Sequence, residues 1–320
     1  MDQADLLNAP LPERWSTRQR IKNTMIFKIV TRAFKLLRNI KIESLLKWVA
    51  PLSHLAFWLA ARDRNRAVAQ LRQALEISET QARKLTLEMF DHFGRVGMEW
   101  IHKDTLLESH PDLQLSGEHR QLFEEALSEN KGVIAITGHI GNWELLAQMV
   151  SKAGFPVVSV ARPTYDPRLT RWINTMRSNQ GMKVLWRGTT SSPKEILRVF
   201  RDNQILGLLI DQDTKVQSAF VPFFGKPAST PTAGATLALR KKTPIIVGWL
   251  HRTPYGFKPH FERYHYEVTG NKASDIQKIT AELTERLEFA IRQYPAQWVW
   301  LHKRWKTREK PVNEMVDTSS

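Results

Sequence analysis

His139 and Glu144 stand with four residues between them in Thr137-Gly138-His139-Ile140-Gly141-Asn142-Trp143-Glu144, directly after the apolar run Gly132 to Ile136. An imidazole and a carboxylate are the minimum equipment for taking a proton from a hydroxyl. The chain has no cysteine and no G-x-S-x-G, so neither a thiol nor a familiar hydrolase serine competes for that task. Gly138 and Gly141 permit a sharp turn, Asn142 is placed as a helix N-cap, and Glu144 falls in the first helical turn, where a carboxylate is favoured. In a regular helix this spacing would set the two side chains well apart around the axis. At a strand-to-helix corner they can meet. Glu144 is then expected to hold one ring nitrogen of His139, leaving the other to accept the proton. The competing reading is a histidine that caps the turn and a glutamate that caps the helix; the strand-to-helix context and polar groups at three further strand ends favour chemistry.

Those strand ends belong to an alternating pattern. Helices are predicted over 120–130, 143–153, 167–180, 193–203, 232–242 and 274–294. Strands are predicted over 133–137, 156–160, 183–187, 205–210 and 244–250, with a further strand pair over 256–268. Short apolar runs alternating with helices imply an α/β fold with a mostly parallel central sheet flanked by helices. Active sites in such sheets gather at the carboxyl ends of strands. His139 follows the first strand, Arg162 the second, Arg187 closes the third, and Asp211 follows the fourth. The segment Pro111–Gly117 is a break, giving an N-terminal helical region over 1–115, a catalytic α/β domain over 116–310 and a disordered tail over 311–320.

The formal charge is +15 and the chain carries 11 tryptophans. Such a charge favours acidic partners: nucleic acid, an anionic lipid surface, a phosphorylated substrate or an acidic protein. Residues 26–41 read as a basic amphipathic helix, with Lys28, Arg32, Lys35 and Arg38 recurring among Phe27, Val30, Phe34, Leu37 and Ile40. The run Trp48 to Ala61 is apolar but short, contains Pro51 and His54, and has basic residues on both sides. The N-terminal region is therefore expected to lie on a membrane surface or to carry a single anchor. No signal peptide is evident. The absence of cysteine fits a reducing compartment. A nucleic-acid-binding protein is the reading from a different class; no helix-turn-helix, zinc module or RNA-binding signature supports it.

The strings TGHIGNWE (137–144), ARPTYDPRL (161–169), RSNQG (177–181), DQD (211–213), FVPFFGKPASTPTAG (220–234) and WLHKRWKTR (300–308) occur in this order. With them the chain resembles the late (secondary) acyltransferases of lipid A biosynthesis, the lauroyl/myristoyl transferase family, from about residue 25 to residue 308. The resemblance implies a glycerolipid-acyltransferase-like fold. It implies transfer of a fatty acyl group from acyl carrier protein to a hydroxyl of an acylated lipid A precursor, at the cytoplasmic face of the inner membrane. The donor would be a 4'-phosphopantetheine thioester, with no metal or other cofactor. A lysophospholipid or phosphoinositol mannoside acceptor is the nearest alternative.

Within that frame Arg162, Arg177 and Arg187 are assigned to anionic parts of the acceptor or to fixing the site loop, as bidentate donors; internal ion pairs with Asp166 or Asp211 are the alternative. Asp211 and Asp213 are too isolated for a metal, and Asp211 is expected to organise the site. Residues 220–225 form either a core loop or a wall of an acyl groove. Thr230, Thr232 and Gly234 could open a helix toward a phosphate or simply cap it. Arg304 is the candidate for contact with an anionic head group or carrier protein, and His302 is read as structural. Gly141 and Asn142 support the turn, and main-chain N–H groups at the helix start, or an arginine, would hold the oxyanion.

Overall fold

A computed structural model describes residues 15–115, 117–178, 181–187 and 192–309. The expected disordered tail 311–320, Asn179 and Gln180 of the RSNQG string, and Gly188 lie outside the described residues.

Five strands are short apolar runs, and the four inner ones are buried or half-buried throughout, as parallel strands covered by helices are. They are β1 (Val133–Thr137), β2 (Val157–Ala161), β3 (Lys183–Trp186), β4 (Ile205–Leu209) and β7 (Ile245–Thr253). With β8 (Gly256–Tyr264) they form one sheet in the order β3-β2-β4-β1-β7-β8. All pairings are parallel except β7 with β8. A single antiparallel strand thus replaces the strand pair expected over 256–268. The segment from 218 to 231, predicted outside helices and without strands, is a separate hairpin of β5 (Ser218–Phe223) and β6 (Lys226–Pro231). Phe223 and Phe224 are buried in the main core. Phe223 packs on Trp298 and Trp305, and Phe224 on Trp300. Of the two readings of 220–225, the core one describes these rings.

Successive strand residues alternate faces. Val133 and Ile205 face the cluster built with Phe123 of α6 (Gly117–Ser128) and Leu145 and Met149 of α7 (Trp143–Lys152). Ile134 and Leu206 face the other cluster, with Val199 and Phe200 of α9 (Ser192–Arg201), Ala235 and Ala238 of α10 (Ala233–Lys241) and Ile279 and Leu283 of α11 (Lys272–Gln293). The helix α8 (Pro167–Ser178) connects β2 to β3. β1 and β4 are neighbours although chain order leads from β1 to β2 and from β3 back to β4. That reversal opens a crevice at their carboxyl ends.

The N-terminal helices are α1 (Thr17–Arg38), α2 (Ile42–Leu59), α3 (Ala61–Leu75), α4 (Glu79–Ile101) and α5 (Lys103–Ser109). Ser16 with Gln19, and Ser78 with Gln81, form capping boxes that start α1 and α4. Helix α1 begins well before the residue 26 expected from its periodicity. Its Phe34 packs edge-on against Trp100 of α4 and Trp172 of α8. On its opposite side Ile21, Met25, Ile29 and Leu36 are exposed. Helix α2 is two-faced in the same way: Leu45, Val49, Ser53 and Phe57 are buried, while Trp48, Leu52, Leu55 and Leu59 make an exposed apolar stripe. Among the described residues no helix is long and apolar enough to cross a membrane.

Candidate active site

The turn after β1 brings His139 to the crevice between β1 and β4. The parallel register pairs Thr137 with Leu209, so two residues further along β4 the carboxylate of Asp211 arrives beside Gly138 and His139. A Cβ on Gly138 would sit 3.1 Å from the Asp211 side chain, so the glycine permits this approach. Asp211 accepts from the His139 main-chain N–H at 2.8 Å and from the ring Nδ1 at 2.9 Å. The Trp298 indole N–H donates at 2.8 Å to Oδ2, the oxygen that also accepts the His139 main-chain N–H. A carboxylate acceptor fixes the proton on Nδ1. Nε2 is left without a hydrogen bond among the described residues, on a side chain 25% exposed.

Burial opposes charging of His139, yet the Asp211 charge and hydrogen bond, joined by the charge of Glu144, raise its pKa above the ordinary histidine value. Burial likewise acts against the Asp211 carboxylate, but the His139 ring, the Trp298 N–H and the His139 main chain together pull its pKa down to about 2. The result is an oriented imidazole with a fixed tautomer, backed by an ionised carboxylate: the arrangement of a general base.

Glu144 does not hold the ring nitrogen. Its carboxylate is engaged by Arg177 of α8, whose Nε donates at 3.1 Å and whose terminal nitrogen makes a second, short bond. The expected pair is thus two pairs, His139 with Asp211 and Glu144 with Arg177, side by side. Trp143 packs edge-on to the His139 ring, with centroids 5.0 Å apart.

The turn itself is held from several sides. Gly141 has φ +56°, and any Cβ there would collide with the Leu250 carbonyl. Its N–H donates to the Gln297 carbonyl at 2.8 Å, and the Asn142 N–H to the Leu250 carbonyl at 2.9 Å. Gly141 and Asn142 therefore support the turn, but their main-chain donors are occupied and cannot serve an oxyanion. The Asn142 side chain accepts from Leu145 N, as an N-cap should. Its amide also donates to Glu99 of α4 at 2.7 Å. Glu99 is 1% exposed and ion-pairs with Arg252. One face of α4 further supplies His92, whose Nε2 donates to the Gly141 carbonyl at 3.1 Å. Burial lowers the His92 pKa to about 4, so the ring is neutral near pH 7.

Sequence reading missed His92 and Glu99. The signal was present: buried positions on α4 run Ala82, Thr86, Met89, His92, Val96, Glu99, a helical core stripe in which an imidazole and a carboxylate occupy core places. It also missed Arg168, which is 1% exposed. Arg168 closes a bidentate pair with Asp166, its Nη2 donating at 2.7 Å, and reaches Thr24 of α1 at 2.9 Å.

The remaining predicted residues fall in different places. Arg162 is exposed just past β2, and Arg187 is half-buried just past β3, its N–H donating to the Ala161 carbonyl. Asp166, a suggested partner for the arginines, is taken by Arg168. Arg304 is 0% exposed. Its guanidinium donates to Ser229 O at 2.6 Å and Thr230 Oγ1 at 2.5 Å, and burial lowers its pKa to about 10. It fastens the C-terminal segment onto β6 and has no surface to offer a head group or carrier protein. Asp213 accepts from Thr307 N and Oγ1 at 2.8 and 3.0 Å, so it anchors the same segment.

A sequence profile for the bacterial lipid A biosynthesis acyltransferases matches residues 13–307. The chain belongs to that family. It is 24% identical over 249 residues to the lipid A biosynthesis lauroyltransferase of Escherichia coli K12, covering 74% of this chain and 76% of the relative. It is 25% identical over 252 residues, with the same coverages, to the palmitoleoyltransferase of lipid A biosynthesis from that organism. It is 26% identical over 184 residues to the phosphatidylinositol mannoside acyltransferase of Mycolicibacterium smegmatis, covering 56% of this chain and 59% of that relative. The matches bear out the family read from the six strings, and the protein is an acyltransferase of this family.

Proposed function

We propose that this acyltransferase moves a fatty acyl group from an acyl carrier protein thioester to a hydroxyl of an acylated lipid A precursor. His139 Nε2 takes the hydroxyl proton as that oxygen attacks the thioester carbonyl. The new ester C–O bond forms, the C–S bond breaks, and the imidazolium returns its proton to the departing thiolate. Asp211 holds the ring and stabilises its charged form. Glu144, gripped by Arg177, adds a second negative field beside the ring. The N–H groups of Trp143 and Glu144 open α7 without main-chain partners among the described residues and sit at the positive end of its dipole, where they can meet the developing oxyanion. Exposed Arg162, with Arg187 near it at the strand ends, would meet anionic groups of the acceptor.

The observation that carries this reading is the Nδ1 bond from His139 to ionised Asp211, which leaves Nε2 open. The exposed apolar faces of α1 and α2, bordered on α1 by Lys22, Lys28, Arg32 and Lys35, suit the cytoplasmic surface of an anionic inner membrane. Each basic residue near such a surface is worth roughly 1 kcal/mol.

The test is turnover of purified full-length protein with acylated carrier protein and a lipid A precursor, read by mass spectrometry. A lysophospholipid and a phosphatidylinositol mannoside serve as competing acceptors. His139→Ala should lower kcat by about 10²–10⁴-fold with the fold intact. Near-normal turnover by that variant would overturn the mechanism, and preference for either competing acceptor would overturn the lipid A assignment.

A further inference from the structure

A second cationic surface lies away from the site. Helices α9 and α10 both run down from the carboxyl ends of the strands, on the sheet face opposite α6 and α7. Between them is a groove of about 520 Å³ lined by Lys194, Glu195, Leu197, Arg198, Arg201 and Lys241. Arg240 and Lys242 extend its lower end and are exposed. Among the described residues Lys194, Arg240, Lys241 and Lys242 have no carboxylate within ion-pairing distance. Asp202 is shared by Arg198 and Arg201, at 3.2 Å each. Both arginines remain about 70% exposed, at 69% and 71%, and Glu195 and Asp202 offset only two of the six positive charges of Lys194, Arg198, Arg201, Arg240, Lys241 and Lys242, so the groove stays net positive.

We propose that this groove is the docking site for an acidic protein, the carrier that delivers the acyl thioester. The proposal rests on the donor reading given above. Three features favour this occupant. The groove is cationic, so an acidic surface is its electrostatic complement. It is poor in apolar side chains, with Leu197 alone in its lining, whereas the faces of α1 and α2 expose aliphatic and indole groups in stripes; a bilayer suits those helices and not this groove. It presents no exposed aromatic ring for stacking nucleic-acid bases.

Position supports the same occupant. Helix α1 packs on α8 and α4, and right-handed crossovers place α8 on the face of α7, opposite α9 and α10. A molecule resting on lipid through α1 and α2 keeps the groove open to a soluble partner. The groove begins near Lys194, one turn into α9, beside the strand ends that hold His139. Its far end lies about one strand length lower, roughly 17 Å for a strand of this size.

The experiment compares the full chain with the double variant Arg198→Glu, Lys241→Glu. Neither residue touches the His139 site. Binding of acylated carrier protein is measured directly by titration at low salt, and transfer is assayed with that donor and with the same acyl group on a small pantetheine thioester. Binding should weaken by at least about ten-fold and KM for the carrier-bound donor should rise in step, with kcat and the small-thioester reaction unchanged. Arg198→Ala, Lys241→Ala gives a milder version of the same pattern should charge reversal disturb the fold. Lys152→Glu, Lys258→Glu, on α7 and β8, makes the same four-unit change of charge away from the groove and controls for overall charge. Unchanged binding in the double variant, an equal loss in the control, or loss of vesicle or RNA binding in place of carrier binding would overturn the proposal. If the unsubstituted protein bound the carrier through the groove yet took no acyl group from it, the donor reading would fail and the docking site would stand. If transfer from the carrier ignored both substitutions, the docking site would fail and the donor reading would stand.

Discussion

Asp211 matters more than the sequence spacing suggested. A histidine and an acid close in the chain form an obvious pair, and His139 was legible because it follows a strand and precedes a helix. The acid that orients it arrives from β4, through a register in which Thr137 faces Leu209. Strand order in a parallel sheet is not written in local pattern, so a partner delivered by a neighbouring strand could be placed at the right edge but not assigned to a nitrogen. Arg304 shows the reverse error. An arginine among tryptophans reads as a surface contact until the fold shows it 0% exposed. At this scale the proposed base must be neutral to act. Its pKa is raised above the ordinary value near 6.5, so kcat/KM should climb with pH through a point above 6.5 and level off beyond it. Asp211→Asn should cut kcat by about 10²–10⁴-fold. It should also move that climb to lower pH, since both the charge and the hydrogen bond that raise the ring's pKa are lost. A pH–rate series on both proteins checks the direction.

Helix α4 does the work that a loop does in many enzymes. His92 and Glu99 are two helical turns apart, so they project from one face and take hold of consecutive residues, Gly141 and Asn142. A helix is a stiff support, which suits a turn that must keep an imidazole within hydrogen-bonding geometry. The turn and its support lie on opposite sides of the division expected near residue 116, because α4 precedes it and the turn follows it. Glu99→Ala strands the Arg252 cation and removes a buried acceptor. It should destabilise the protein by about 3–5 kcal/mol, read by denaturant unfolding. Glu99→Gln keeps the shape and loses less stability. Gly141→Ala forces a Cβ into the Leu250 carbonyl at a positive φ, and should cost more than about 1 kcal/mol and most of the activity. Of the elements, the alternating strands and helices were readable because they bury both sheet faces. The β5–β6 hairpin was not, since its Pro, Gly and Phe residues carry no clean two-residue period.

Across the whole molecule, charge and grease are divided. Helices α1 and α2 combine exposed aliphatic stripes with cations, while among the described residues α9 and α10 hold cations and expose no large apolar side chain. Replacing Ile29 and Leu52 with glutamate should reduce partition onto anionic vesicles by at least about ten-fold and leave the melting temperature nearly unchanged, because both side chains are already solvated. A vesicle-sedimentation assay at two salt concentrations measures it. The net charge of +15 favours acidic partners in general. How that charge is distributed became visible only once helices distant in the chain were laid on opposite faces of the sheet.

The segment from Trp298 to Thr307 reaches back across the whole fold. Its indole steadies Asp211, its main chain is bonded by Arg66 and Gln70 of α3, and Thr307 binds Asp213. These residues are translated after every strand of the sheet. A nascent chain that has threaded out as far as α11 can already lay down its strands, yet Asp211 still lacks the indole that sets it. Competence therefore waits for a segment that emerges only after the last strand of the sheet.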